Sequence, residues 1–153
     1  MEYIIGFMLA LAVFASDTVI GFDRERALYP VVMMVIASYY VLFAAMDASG
    51  WVLIMECLAG GVFAAAAVIG FKVRLWLVVA ALAGHGVFDL VHHDLVGNPG
   101  VPPWWPGFCL AFDVAAAGYL AVLLMKRPGL DSRVATRVMP RSAADRTDDA
   151  RGV

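Results

Sequence analysis

The feature that most constrains this chain is the rhythm of its apolar stretches and the place of its charges. Five segments are long and apolar enough to cross a bilayer: residues 3–22, 28–46, 51–71, 75–93 and 105–125. A spanning helix needs about 20 mostly apolar residues. Backbone groups in lipid must be satisfied within the segment, and none of these runs alternates like a barrel strand, so helix is the spanning state open to them. All eleven Lys and Arg side chains fall after spans one, three and five. The connections after spans two and four, with the N-terminus, hold Glu2, Asp47 and Asp94 and no basic residue. The positive-inside rule then places the N-terminus outside and the C-terminus in the cytoplasm. Losing or adding one span would scatter the charges.

Composition agrees. Hydrophobic residues make up 63% of the 153 and charged residues 16%, against about 25% charged in a soluble domain. The expected fold is all-α, a polytopic bundle of five transmembrane helices over residues 1–127, with a polar, disordered cytoplasmic tail over 128–153. Trp51, Trp104 and Trp105 mark the outer interface and Trp76 and Tyr29 the inner one, as an aromatic belt. Pro30 falls in the first turn of span two, where a missing N–H does little harm. Asp94 to Trp104 reads as a Gly- and Pro-rich loop. Span one lacks a basic n-region, so it reads as an uncleaved span rather than a signal peptide. Pro128-Gly129 breaks the fifth helix. Beyond it, Leu130, Val134 and Val138 recur at helical spacing, and a short surface helix would bring Arg133, Arg137 and Arg141 to anionic headgroups; a solvated tail is the simpler reading. The chain has no nucleic-acid-binding surface and no phosphate-binding glycine loop. Cys57 and Cys109 stand at similar depth; two small buried residues is the simpler reading, a disulfide pair or membership of the polar site the alternatives.

Ionisable side chains inside the spans carry the functional signal, because each costs about 2.5–3.5 kcal/mol at the bilayer centre on insertion scales. They are Asp17, Glu56, His85, Asp89 and Asp113, with His92 and His93 at the outer end of span four. Counting from the outer boundary at about 1.5 Å per residue, Glu56 lies about 7–8 Å deep, Asp89 and Cys109 about 6 Å, and His85 and Asp113 about 12 Å. Three helices thus place their costly groups in one half of the membrane. Asp17 lies near the opposite face, within reach of Arg24 or Arg26 or of water. In Gly84-His85-Gly86-Val87-Phe88-Asp89-Leu90-Val91-His92-His93, the side chains of His85, Asp89 and His92 share one helical face within about 60°, with His93 slightly off it. Imidazole and carboxylate on one inward face are what zinc or another divalent transition metal requires. The candidate ligands are His85, Asp89, His92 and His93, with Glu56 and Asp113 as candidate general bases. Tyr39 and Tyr40 can donate to the cluster from span two or serve as belt residues. The bland alternatives are interfacial histidines, an Asp89–His85 hydrogen bond between packed helices, and Glu56 in an outer water pocket.

The Gly84-His85…Asp89…His92-His93 run and the Pro102-Pro103-Trp104-Trp105-Pro106 segment resemble the small multi-pass membrane proteins common in bacteria, a resemblance that implies no established activity. In type of site the chain also resembles the alkaline ceramidase-like membrane hydrolases, which hold zinc with histidines and an aspartate on neighbouring helices. It departs from them in having five spans rather than seven and no matching serine motif, so no residue role is carried over. The leading expectation is a multi-pass protein of the inner (cytoplasmic) membrane with a metal-dependent hydrolase site acting on membrane lipid. The alternatives are a proton or cation relay, for which a homo-oligomer is expected, and an accessory subunit whose polar residues lock helices to a partner.

Overall fold

The structure, a computed structural model, describes residues 1–132. Five long helices are present: α1 (Glu2–Ile20), α2 (Leu28–Asp47), α3 (Gly50–Lys72), α4 (Trp76–Leu95) and α5 (Trp105–Lys126). All five are long and apolar enough to cross a membrane, and no strand occurs among the described residues. Bounds differ from the apolar runs by at most two residues: α2, α3, α4 and α5 run on through the polar residues Asp47, Lys72, Asp94 and Lys126, whereas α1 stops at Ile20, before Gly21. Asp94, expected in the loop, sits in the last turn of α4.

Local signals explain the breaks. Gly21 ends α1 in the left-handed conformation (φ 94°), and its N–H returns to the Asp17 carbonyl, the usual glycine stop. A single 3₁₀ turn, Phe22–Arg24, leads toward α2. The tight α2–α3 connection works because Ser49 caps α3, its side chain accepting the Val52 N–H, and so satisfies one of the free donors of the first turn.

α5 is the spine of the bundle. It packs against α1 on one side and α4 on the other, while α3 lies against α2 and α4. The closeness of α1 and α5 depends on Gly6, where a Cβ would stand 2.2 Å from the Phe108 carbonyl oxygen. α1 and α2 meet where Phe14 stacks on Tyr29 at 5.5 Å. Tyr29 is fully buried there, which corrects its expected place in an interfacial belt: in the first turn of α2 it is drawn inward onto the Phe14 ring of α1. Trp51, Trp76 and Trp104 are exposed on the surface of the bundle. Cys57 is exposed and Cys109 buried, and both are free thiols, so the disulfide option falls.

The chain beyond Arg127 begins in an ordered way. A short helix, α6 (Pro128–Ser132), folds against the bundle with Leu130 buried. Arg26 donates to the carbonyls of Leu130 and of Asp131 (2.7 Å) and to that of Phe71 (2.9 Å), and Asp131 Oδ1 accepts the Leu75 N–H (2.7 Å). Residues 128–132 therefore depart from the disorder expected of the tail: a guanidinium fork and a carboxylate satisfy backbone groups that helix ends leave free. These contacts also bring the connections after spans one, three and five to one end of the bundle. The rest of the tail, including Arg133, Val134, Arg137, Val138 and Arg141, lies outside the described residues.

Candidate functional site

Four helices converge on one buried polar cluster. α4 supplies His85, Asp89 and His92 from a single face, α5 supplies Asp113, α3 Glu56 and α2 Tyr40, and all six are at most 2% exposed. Burial this complete in an apolar bundle makes each unpaired polar atom costly, by roughly 1–3 kcal/mol in protein data and more for a charge.

The deeper half of the cluster centres on His85. Its Nδ1 lies 2.7 Å from Asp113 Oδ2 and 3.6 Å from Asp89 Oδ2. The first contact is a hydrogen bond; the second is too long for one and is electrostatic. Asp113 stands level with His85, where helical rise places both. Asp89 Oδ1 accepts from the Tyr40 hydroxyl at 2.7 Å. Phe63 meets the His85 ring edge-to-face at 4.8 Å, and Phe88 packs beside it at 6.0 Å, which keeps the imidazole fixed in orientation.

The shallower half is built on Glu56. Its Oε1 pairs with His92 Nε2 at 2.7 Å and accepts from Asn98 Nδ2 at 2.8 Å. Asn98 also donates to the Tyr40 carbonyl (3.1 Å), and its Oδ1 accepts the Gly100 N–H (3.0 Å). The loop between α4 and α5 thus closes over the cluster. Gly100 permits this, since a Cβ there would come within 2.3 Å of the Phe43 carbonyl oxygen. The Tyr40 ring joins the halves: it lies on His92 at 3.9 Å and near His85 at 5.9 Å.

Three carboxylate oxygens in this enclosure, Glu56 Oε2, Asp89 Oδ2 and Asp113 Oδ1, are buried with no hydrogen-bond partner. Three carboxyl groups against two imidazoles leave an excess of negative charge unless protons or a cation are taken up. The chemistry of the donors suits a cation. Ligand atoms of His85, Asp89 and Asp113 all lie within 4.8 Å of one another. One imidazole and two carboxylates form a set used for zinc, manganese or iron. With bonds of about 2.0–2.2 Å, tetrahedral zinc spaces its ligands by roughly 3.4 Å. The 3.6 Å pair already meets that spacing, and the 2.7 Å pair reaches it by opening roughly 0.7 Å.

The other candidate residues lie apart from this triad. His92 pairs with Glu56 in the shallower half, and His93 is exposed on the outer side of α4. Tyr39 turns outward onto Trp105, with ring centroids at 5.0 Å. Asp17 is buried on α1, one turn beyond Phe14. Sequence reasoning missed Asn98. Its only signal was the turn-forming Asn98-Pro99-Gly100, which marks a loop without saying what the amide reaches.

Comparison of the chain with protein-family models, with curated protein sequences and with solved structures returns no match. The site therefore rests on its own geometry: a His/Asp/Asp group within five membrane-length helices, with its potential ligand atoms within 4.8 Å of one another.

Proposed function

We propose that this is a metal-dependent hydrolase of the cytoplasmic membrane, with zinc or a similar divalent cation held by His85, Asp89 and Asp113 and a membrane lipid as substrate. The observation that carries the reading is the convergence of the three ligand atoms beside the unpartnered Asp89 Oδ2 and Asp113 Oδ1. A divalent ion held there would satisfy Asp89 Oδ2 and offset the excess negative charge of the carboxyl groups. His85, Asp89 and Asp113 would hold the ion, which would supply a bound water acidic enough to act as a nucleophile near neutral pH, as catalytic zinc does. In this reading Asp113 acts as a ligand. Glu56, oriented by His92 and Asn98 and with Oε2 unpartnered, is the general base. Tyr40 holds Asp89 in place, as a neighbouring hydrogen-bond donor does for a metal ligand. His93 has no part in it. The charge pattern supports an orientation in which the cluster lies nearer the outer face.

The test is metal content by mass spectrometry on protein purified gently and without chelators, for the wild type, His85→Ala and Asp89→Ala. Near-stoichiometric zinc, manganese or iron, lost in both variants, is expected, followed by lipid hydrolysis that depends on the metal. Metal at background in every sample would sink the proposal.

A proton relay is the second reading, favoured by two hydrogen-bonded groups in one enclosure, Asp113–His85 beside Asp89–Tyr40 and His92–Glu56–Asn98, although Tyr40 only stacks on His92 between them. Against it, α4 and α5 continue toward the opposite end with Leu82, Val78, Ala116 and Leu120, all fully buried and apolar. An accessory role finds less support, because the polar faces point into the bundle rather than toward a partner.

A further inference from the structure

The polar cluster is shut on every side, yet its walls differ in kind. At the deeper end α4 and α5 close it with Val78, Leu82, Ala116 and Leu120, all fully buried. Phe63 and Phe88 pack against the His85 ring from the side. Those walls are regular helix within the spans, where displacing backbone would break hydrogen bonds that lipid cannot replace. The remaining wall is the connection between α4 and α5, residues 96–104, which is not helical.

This connection is held to the site by one side chain. Gly97, Pro99, Pro103 and Trp104 are exposed, and Asn98 is the one buried residue among the nine. Among the described residues, both hydrogen bonds from the connection to α2 and α3 come from the Asn98 amide, to the Tyr40 carbonyl (3.1 Å) and to Glu56 Oε1 (2.8 Å). Pro99, Pro102 and Pro103 have no N–H with which to add another. The other hydrogen bonds of the connection are local, from the N–H of Val96 to the His92 carbonyl, of Gly100 to Asn98 Oδ1, of Val101 to the Asn98 carbonyl and of Trp105 to the Pro102 carbonyl. Lifting the loop therefore costs the bonds of one amide and leaves every helix intact, and segments held this lightly are where a protein opens first. The amide also lands on a group with chemistry of its own, since Glu56 Oε1 is the oxygen that Asn98 and His92 share.

We infer that residues 96–104 form a gate through which water and a divalent cation reach the cluster from the aqueous phase at that end of the bundle, with the Asn98 amide as its latch on Glu56. This deepens the metal reading, on which the identity of the ion rests, by giving the site an entrance. It also ties entry to Glu56, because opening takes away one of the two groups that hold Oε1.

Two variants test the gate. Asn98→Asp keeps an oxygen for the Gly100 N–H and sets a second carboxylate against Glu56 in place of the donor. Pro99→Gly leaves the amide in place and loosens the loop from an exposed position. The probe is diethylpyrocarbonate, which acylates neutral imidazole, applied to chelator-treated protein in nanodiscs and read residue by residue by mass spectrometry. The chain has three histidines, and exposed His93 is the reference for buried His92 and His85. In the wild type His92 and His85 should react far more slowly than His93. Relative to His93, His92 should react about tenfold faster or more in Asn98→Asp and roughly threefold faster in Pro99→Gly, with His85 following. On the same preparations, stopped-flow zinc uptake and release should both quicken in Asn98→Asp with Kd within about threefold of the wild type, as for a lid. Wild-type His92 as reactive as His93, or His92 indifferent to both variants, overturns the gate, as does weaker zinc binding without faster entry. Faster His92 acylation with zinc binding at background upholds the gate and removes the metal reading alone. Bound zinc whose entry and release are unchanged in both variants overturns the gate alone.

Discussion

The Tyr40 hydroxyl donates a 2.7 Å hydrogen bond to Asp89 Oδ1, while the same ring lies at 3.9 Å on His92. One residue of α2 thereby couples the His85/Asp89/Asp113 triad to the Glu56/His92/Asn98 group. Tyr40→Phe keeps the stacking and removes the donor. Interhelical hydrogen bonds in membranes average about 0.6 kcal/mol with a maximum of about 1.7, so thermal unfolding in detergent should show a modest loss near the upper figure, since a carboxylate loses its partner. Metal affinity should fall by about 10–100-fold, the usual cost of removing a group that orients a ligand. Unchanged affinity in a metal titration would mean that Asp89 needs no support from α2.

Glu56 and Asp113 carry different predictions. Glu56→Gln should retain metal and lose lipid hydrolysis by two orders of magnitude or more, in line with removal of a general base worth about 10²–10⁴-fold. Asp113→Asn should lose metal as well. Metal analysis and a lipid-release assay on the same preparations separate the two, and equal loss of metal in both would place Glu56 among the ligands.

Asn98→Ala removes the amide that ties the α4–α5 loop to Glu56 and to the Tyr40 carbonyl. Amide hydrogen exchange should rise across residues 96–104 and in the first turn of α5, with the helix interiors unaffected. Loop exchange identical to the wild type would show that Gly100 and the prolines hold the loop without Asn98.

Gly6→Ala should destabilise by about 1–3 kcal/mol, because the added methyl meets a backbone carbonyl that moves only with α5. Gly118→Ala is the control. It lies in the interior of α5 with open space around it, so it should stabilise by about 0.5–1 kcal/mol through helix propensity. Thermal unfolding of the two variants in one detergent decides; a neutral Gly6→Ala would mean that α1 is not held closely to α5.

The orientation is checked by cysteine labelling after Cys57→Ser and Cys109→Ser. In whole cells a membrane-impermeant maleimide should label Ala48→Cys in the α2–α3 turn. It should label Val73→Cys in the α3–α4 connection only after permeabilisation. The reverse pattern would invert the topology.

Much of the fold was legible in the sequence because the bilayer imposes it. A run of about 20 apolar residues has one conformation open to it in lipid, so the five helices and their ends follow from hydropathy, glycine and proline. The segregation of all eleven basic residues organises those helices into one topology. Helical period and rise also indicated which polar side chains share a face and a depth: His85, Asp89 and His92 on α4, with Asp113 level with His85. The tertiary structure alone decided the rotation of each helix and its neighbours. That rotation sends His92 to Glu56 and His85 to Asp113, leaves His93 on the outside and buries Tyr29 against Phe14. It brings Asn98 from a loop to a carboxylate 42 positions earlier and folds α6 back onto Arg26. Those contacts depend on how ridges and small residues of different helices fit together, which a one-dimensional pattern does not encode.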